Sequence, residues 1–216
     1  MSTPRTAPLS LWRIAEAFLH TLYNLFGAPE DVARQHTLTR APYLLLREWL
    51  RAGEAVMRKL LLIEAAAYPK SAKRPARRAA HKHESRAIGF DHDKPEDWRV
   101  AFSCFLGPPA SSPAYTGAGR RDAGGPRDNA LHNFHSAWPL AERYEALIRV
   151  FNDPAPYARR LAARLHARPR AADAVLKHPK TAAALVGHVA FDTLCVAGVE
   201  KCCQAWPERP RLVDTS

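Results

Sequence analysis

The sequence predicts a mainly α-helical protein, a helical bundle built from N-terminal and C-terminal helical blocks. Apolar residues near both ends of the chain recur at alternating three- and four-residue spacing, which is the period of an amphipathic helix. Between them, a stretch of Lys and Arg is followed by one rich in Gly and Pro. Such compositions bury too little apolar surface to fold, so we expect a basic, largely disordered middle with at most one short strand.

Composition shifts divide the chain into segments. With 216 residues and 47% hydrophobic residues, the chain is large enough for one sizeable core or two small ones. We expect a disordered N-terminus over 1–9, an N-terminal helical block over 10–68, a basic linker over 69–87, a small ordered island over 88–106, a Gly/Pro-rich loop over 107–135, a C-terminal helical block over 136–206 and a tail over 207–216.

The first helix is predicted between a Ser10 cap and a stop at Gly27. Its apolar stripe is widened by Trp12, Leu19 and Phe26 beyond what packing against one neighbour requires. We expect these three residues to lie in the core of the bundle, which is the commoner role, or to form an interface with a partner.

A second long helix is predicted from the Thr39 cap to about residue 67, packed antiparallel to the first. Glu54 and Arg58 are four residues apart, a spacing that favours an ion pair on the outer face. Glu64 lies within an apolar run and is therefore expected to be partly buried and paired with an arginine.

The rest of the chain predicts one strand and further helices. Alternation over 98–106 predicts the strand, which must pack on a helical block or pair with a partner. Prolines are favoured in the first turn of a helix, and their positions predict helices that begin near Ser136, Pro154, Pro169 and Pro179. The last three span about 155–167, 170–177 and 180–205.

The chain is strongly basic, with 32 Lys and Arg against 21 Asp and Glu and a formal charge of +11. Acidic partners such as nucleic acid, an anionic membrane surface or an acidic protein are therefore electrostatically favoured. No aromatic residue interrupts the linker between 70 and 86, so stacking on single strands is not indicated. A solvated linker and a basic outer face would explain the same residues. The candidate phosphate-binding residues are Lys70, Lys73, Arg74, Arg77, Arg78, Lys82, Arg86, Arg159, Arg160, Arg164 and Arg168.

The four cysteines, at 104, 195, 202 and 203, are poorly placed for a disulfide framework and favour reduced thiols in the cytoplasm. His188, Cys195 and Cys202 share one helix face at seven-residue spacing, with Cys203 beside them. Ligands about 10 Å apart cannot hold one tetrahedral ion, so we expect small-residue packing and no metal or cofactor. His188 and Asp192 interrupt the most apolar window, which argues for a buried helix and against a membrane span.

No nucleophile with a base, ordered carboxylate pair, phosphate-binding glycine loop or nucleotide fingerprint is found, so an enzyme with a small-molecule substrate is not indicated. The leading hypothesis is a non-enzymatic helical interaction protein, an adaptor or regulator that binds another protein or self-associates. The first alternative is a non-specific nucleic-acid-associated protein that uses the basic segments. The second is peripheral membrane attachment through the first helix.

Overall fold

The computed structural model describes residues 6–70, 93–98, 100–104, 134–176 and 189–206. These residues are mainly helical, which confirms the predicted fold class. Most of the predicted linker, loop and tail lies outside the described residues. The elements in order are α1 (Leu9–Phe26), α2 (Pro29–Arg34), β1 (Thr37–Leu38), α3 (Arg40–Ala65), a 3-10 turn (Pro95–Asp97), β2 (His135–Ser136), α4 (Trp138–Asn152), α5 (Ala155–Ala167), a second 3-10 turn (Pro169–Ala171), α6 (Ala172–Leu176) and α7 (Val189–Ala205).

Helix α1 ends where the sequence predicts but begins two residues earlier than a Ser10 cap would place its start. Pro8 occupies the cap position and Ser10 lies in the first turn. Gly27 ends the helix in the left-handed region, with φ at 77°, and its N–H bonds to the Tyr23 carbonyl at 2.8 Å. A side chain there would be strained, so glycine is the natural residue at this stop.

Helix α3 is the centre of the bundle. It contacts α1, α4, α5, α6 and α7, and every residue from Ala55 to Ala65 is buried. Helix α1 runs antiparallel to it, as predicted, because Trp12 bonds to Glu64 while Phe18 stacks on Trp49 with ring centroids 5.6 Å apart. The helices that enclose α3 therefore bury its second half on all sides.

The two helical blocks form one core. Thr37 pairs with Ser136 and Leu38 with His135 in a short antiparallel sheet that joins them. Beside this sheet, Tyr43 stacks on His135 with ring centroids 4.3 Å apart. Neither strand was predicted from the sequence, because each is only two residues long and two residues cannot show an alternation of apolar and polar side chains.

The strand predicted over 98–106 does not form in the described residues there. The Ser103 carbonyl, which a sheet partner would use, accepts a hydrogen bond from Arg58 Nε at 2.9 Å. The alternating apolar residues of this segment nevertheless face the core, as a strand there would have required. The segment is extended and covers the core without pairing to another strand. The inward residues are Trp98, Val100, Phe102 and Cys104.

The C-terminal block follows the proline positions. Helix α5 matches its predicted bounds, and Pro169 opens a 3-10 turn before the short α6. Residues 177–188, where the last helix was expected to begin, lie outside the described residues. Trp206 closes α7 and is 2% exposed, with its ring edge-on to His166 at 5.9 Å. Within the described ranges, every helix is too short or too polar to cross a bilayer.

Candidate functional site

A group of exposed arginines, here called the basic face, lies on α5 and the turn that follows it. Between residues 154 and 172 the sequence has no Asp or Glu. Around Pro169, this surface forms an open depression of about 530 Å³. The basic face is therefore a region of concentrated positive charge. Its members are Arg159, Arg160, Arg164, Arg168 and Arg170.

Contacts within α5 position the first two arginines. Arg159 Nε lies 3.5 Å from the Ala155 carbonyl, and Arg160 Nε donates to the Pro156 carbonyl at 3.2 Å. The Arg160 guanidinium also sits over the Tyr157 ring, 4.8 Å from its centroid. These contacts hold the side chains along the helix surface without neutralising their charge.

The remaining arginines continue the same surface towards the helix C-terminus. Arg164 follows Arg160 by four residues, which places both on one side of α5 with a rise of about 6 Å. No carboxylate of the described residues forms an ion pair with Arg159, Arg160, Arg168 or Arg170. Cations at this end also interact favourably with the helix dipole, so part of their role is structural.

The start of the predicted basic linker lies beside the basic face. His166 Nε2 in the last turn of α5 donates a hydrogen bond to the Tyr68 carbonyl at 3.1 Å. Lys70, two residues further on, is exposed. The two predicted phosphate-binding groups are therefore adjacent at this one point. The other linker candidates lie outside the described residues, namely Lys73, Arg74, Arg77, Arg78, Lys82 and Arg86.

Cys104 lies half-buried in a positively charged environment next to the basic face. Burial raises the pKa of its thiol, while the charges of Arg160, Arg58 and Arg164 act in the opposite direction. The neighbouring Phe102 ring is edge-on to Tyr157 at 6.2 Å, which fixes this segment against the start of α5. The thiol is thus held among cations and is shielded from solvent.

The proposed interface residues of α1 belong mainly to the core. Trp12 is 1% exposed and meets the Phe151 ring edge-on at 5.8 Å. Leu19 and Phe26 are half-buried and pack against the same core. Trp12 is therefore a core residue of the bundle, the commoner of the two roles expected for it. The α1 apolar residues that do face solvent are Leu9, Tyr23 and Leu25.

Glu64 is buried as expected, but its partners are not arginines. Its carboxylate accepts hydrogen bonds from the Thr6 N–H at 2.8 Å, the Ala7 N–H at 3.0 Å and Trp12 Nε1 at 3.1 Å. These three donors attach the chain that precedes α1 to the end of α3. Two of them are backbone groups, which no side-chain pattern reveals.

The predicted pair of Glu54 and Arg58 forms, but it lies inside the protein. Arg58 bonds to Glu54 at 3.0 Å, and their side chains are only 7% and 15% exposed. Arg143 of α4 reaches the other Glu54 oxygen at 2.7 Å. The cluster is enclosed because the extended segment around Phe102 covers it, with Arg58 over the Phe102 ring.

Sequence reasoning missed Lys59. Its side chain is 0% exposed, and Nζ donates to Cys195 Sγ on α7 at 2.7 Å. The signal available was its position at the start of a long apolar run of α3, where a cation needs a partner. Cys202 is buried as expected for packing, Cys203 is exposed, and all four cysteines are free thiols. His188 lies outside the described residues.

No group of three potential ligands for a metal ion occurs within the described ranges. No protein-family model, curated protein or solved structure matches this chain.

Proposed function

We propose that this protein is a non-catalytic binding protein that associates with double-stranded nucleic acid, without sequence specificity, through the basic face and the adjoining Lys70. The observation that supports this function is an exposed row of arginines within a segment that has no Asp or Glu. Clustered cations at a surface are the electrostatic signature of phosphate binding.

The chemistry of the basic face favours contacts to the phosphate backbone over contacts to bases. Segment 155–172 has no Asn, Gln, Ser or Thr side chain to read base edges. Arginine binds phosphate with two parallel hydrogen bonds and is more weakly hydrated than lysine. Binding by such a surface is sequence-independent, and its affinity falls steeply with salt because each contact releases counterions.

The buried position of Trp12 shifts the balance between the two leading hypotheses. The adaptor hypothesis was based in part on surplus aromatic residues in the amphipathic stripes, and Trp12 of α1 lies inside the core. The arginines of the basic face and Lys70, by contrast, lie at the surface. An adaptor or regulator that binds a protein partner stays the second candidate, supported by the exposed Leu9, Tyr23 and Leu25 on α1.

The test is the fluorescence anisotropy of a labelled random-sequence duplex titrated with the full chain at several salt concentrations. One triple variant carries Arg160→Gln, Arg164→Gln and Arg168→Gln. A matched control carries Arg13→Gln, Arg40→Gln and Arg51→Gln, which removes the same charge from exposed positions elsewhere. We expect the basic-face variant alone to lose at least about tenfold in affinity and to lower the salt slope by about three.

Other results would contradict the proposal. An equal loss in both triple variants would show that net charge, and not the basic face, drives association. No binding of the duplex at low salt would remove nucleic acid as the partner. Flotation with anionic vesicles that required the same three arginines, while the duplex did not bind, would make an anionic membrane surface the partner of the basic face.

A further inference from the structure

Lys59 and Cys195 bring an amine and a thiol together inside the bundle. Lys59 belongs to the central helix α3 and Cys195 to α7, and 136 residues separate them along the chain. Nζ lies 2.7 Å from Sγ, so the two atoms are already in contact. Lys59 is 0% exposed, which confines its amine to this location.

The pair differs in accessibility in a way that suits oxidation. Cys195 is half-buried and Lys59 is 0% exposed, so Cys195 is the residue of the pair that presents surface to a small oxidant in solution. Thiolates are the form of cysteine that reacts with peroxides. The product of that reaction, a sulfenic acid, condenses with a nearby nitrogen or thiol.

We propose that Lys59 and Cys195 form a reversible covalent cross-link, a sulfenamide between Nζ and Sγ, when the protein meets hydrogen peroxide. The thiolate attacks one peroxide oxygen, so that an S–O bond forms, the O–O bond breaks and hydroxide leaves. The hydroxide takes a proton from the Lys59 ammonium and becomes water. The neutral amine then attacks sulfur, forming the N–S bond and breaking the S–O bond, and a second water is released. Sulfur is oxidised and peroxide is reduced.

The cross-link would join the central helix to the last described helix of the core. A bond between residues this far apart constrains the unfolded chain, so the oxidised protein should unfold at a higher temperature than the reduced protein. A thiol reductant cleaves the N–S bond and restores both side chains. The pair would thus form a covalent link between α3 and α7 under oxidising conditions and release it under reducing conditions.

Peptide mapping tests this proposal on the unaltered full chain. The protein is treated with hydrogen peroxide, quenched, denatured, alkylated and digested with trypsin. We expect peptide 59–70 joined to peptide 181–201, with a mass equal to their sum less two hydrogen atoms. Trypsin cleavage after Lys59 should be blocked, and reduction before digestion should restore it. An identical sample oxidised after denaturation should lack the linked species, because the contact exists only in the folded protein.

Two variants sharpen the test. Cys104→Ser, Cys202→Ala and Cys203→Ser together leave Cys195 as the only thiol, and this protein should still form the linked peptides. Lys59→Arg should abolish them and leave a sulfenic acid at Cys195 that dimedone captures. Oxidation of wild type that yields sulfinic acid or a disulfide at Cys195, with Lys59 unmodified, would overturn the proposal, as would equal linkage in the denatured sample.

Discussion

Helices α3 and α5 both carry charged residues, but in opposite settings. In α3, the charges of Glu54, Lys59 and Glu64 lie inside the protein, and each contacts a defined partner. In α5, Arg160 and its neighbours lie outside, with no Asp or Glu in the surrounding sequence. Buried charge without a partner is costly, so the α3 contacts fix the fold, whereas the solvated α5 arginines stay available to a ligand.

This comparison separates residues whose loss should unfold the protein from residues whose loss should impair binding. The largest expected effect is at Glu64, where substitution by Ala leaves three donors without an acceptor. We expect Glu64→Ala to lower the free energy of unfolding by about 3 kcal/mol, since each buried unsatisfied group costs about 1 to 3 kcal/mol. Urea unfolding followed by circular dichroism measures it.

Glu48 supplies the matched control on the same helix, because it is exposed. Glu48→Ala should change stability by less than about 0.5 kcal/mol. Glu64→Gln keeps one acceptor oxygen, so its loss of stability should lie between those of Glu64→Ala and Glu48→Ala. A Glu64→Ala protein as stable as Glu48→Ala would show that the buried charges of α3 are not needed for the fold.

The next effect depends on pH. Burial, with smaller contributions from Tyr23 and Glu30, raises the pKa of Tyr144 to about 12. The folded protein therefore holds the phenol proton more tightly than the unfolded chain does, so this stabilisation is complete below about pH 10 and is lost between pH 10 and 12. The two-unit difference corresponds to about 2 to 3 kcal/mol.

Tyr144→Phe should remove the part of the stability loss above pH 10 that comes from ionisation of this phenol. Comparing the urea unfolding of wild type and Tyr144→Phe between about pH 9 and pH 11 isolates the contribution, because other groups titrate in both proteins. Tyr157→Phe, at a half-buried ring on α5, is the control. Parallel pH profiles for wild type and Tyr144→Phe would refute the prediction.

A smaller effect is expected where helices approach closely. An added Cβ at Gly53 of α3 would lie 2.5 Å from the Phe18 ring and 3.1 Å from a Leu147 methyl. Overpacking of this kind costs about 1 to 3 kcal/mol, from which the better helix propensity of Ala subtracts about 1 kcal/mol. Gly53→Ala should therefore lower stability by up to about 2 kcal/mol, measured as the shift of the urea midpoint.

Gly198 of α7 provides the comparison for that substitution. A Cβ there would meet Leu176 at 3.2 Å and Leu62 at 3.6 Å, both at side-chain ends that can shift. Gly198→Ala should change stability by less than about 1 kcal/mol in either direction. Equal losses at both glycines would mean that α1 does not pack as closely on α3 as the Phe18 contact indicates.

The smallest effect on stability is expected at the basic face. Arg160→Gln and Arg164→Gln should each change the free energy of unfolding by less than about 0.5 kcal/mol, because both side chains are exposed. Thermal unfolding of each variant provides the measurement. A large loss at either position would place that arginine with the structural charges of α3 and weaken the proposed nucleic-acid function.

The sequence predicts the helices well because their apolar period and proline positions are local properties. Burial on all sides of the second half of α3 is not local, since it depends on helices from both ends of the chain. The partners of Glu64 are likewise decided by which backbone N–H groups the tertiary structure brings close. The exposed arginines of α5 were identified from sequence, whereas their proximity to Lys70 depends on the contact between His166 and Tyr68.

The enclosure of α3 also has a consequence during synthesis. Cys195 contacts Lys59 but leaves the ribosome 136 residues later, so one side of the central helix stays uncovered for most of translation. Its apolar residues are then exposed to other nascent chains and to chaperones. Completion of the core is therefore expected only after α7 has emerged, and chains truncated before α7 should be prone to aggregation.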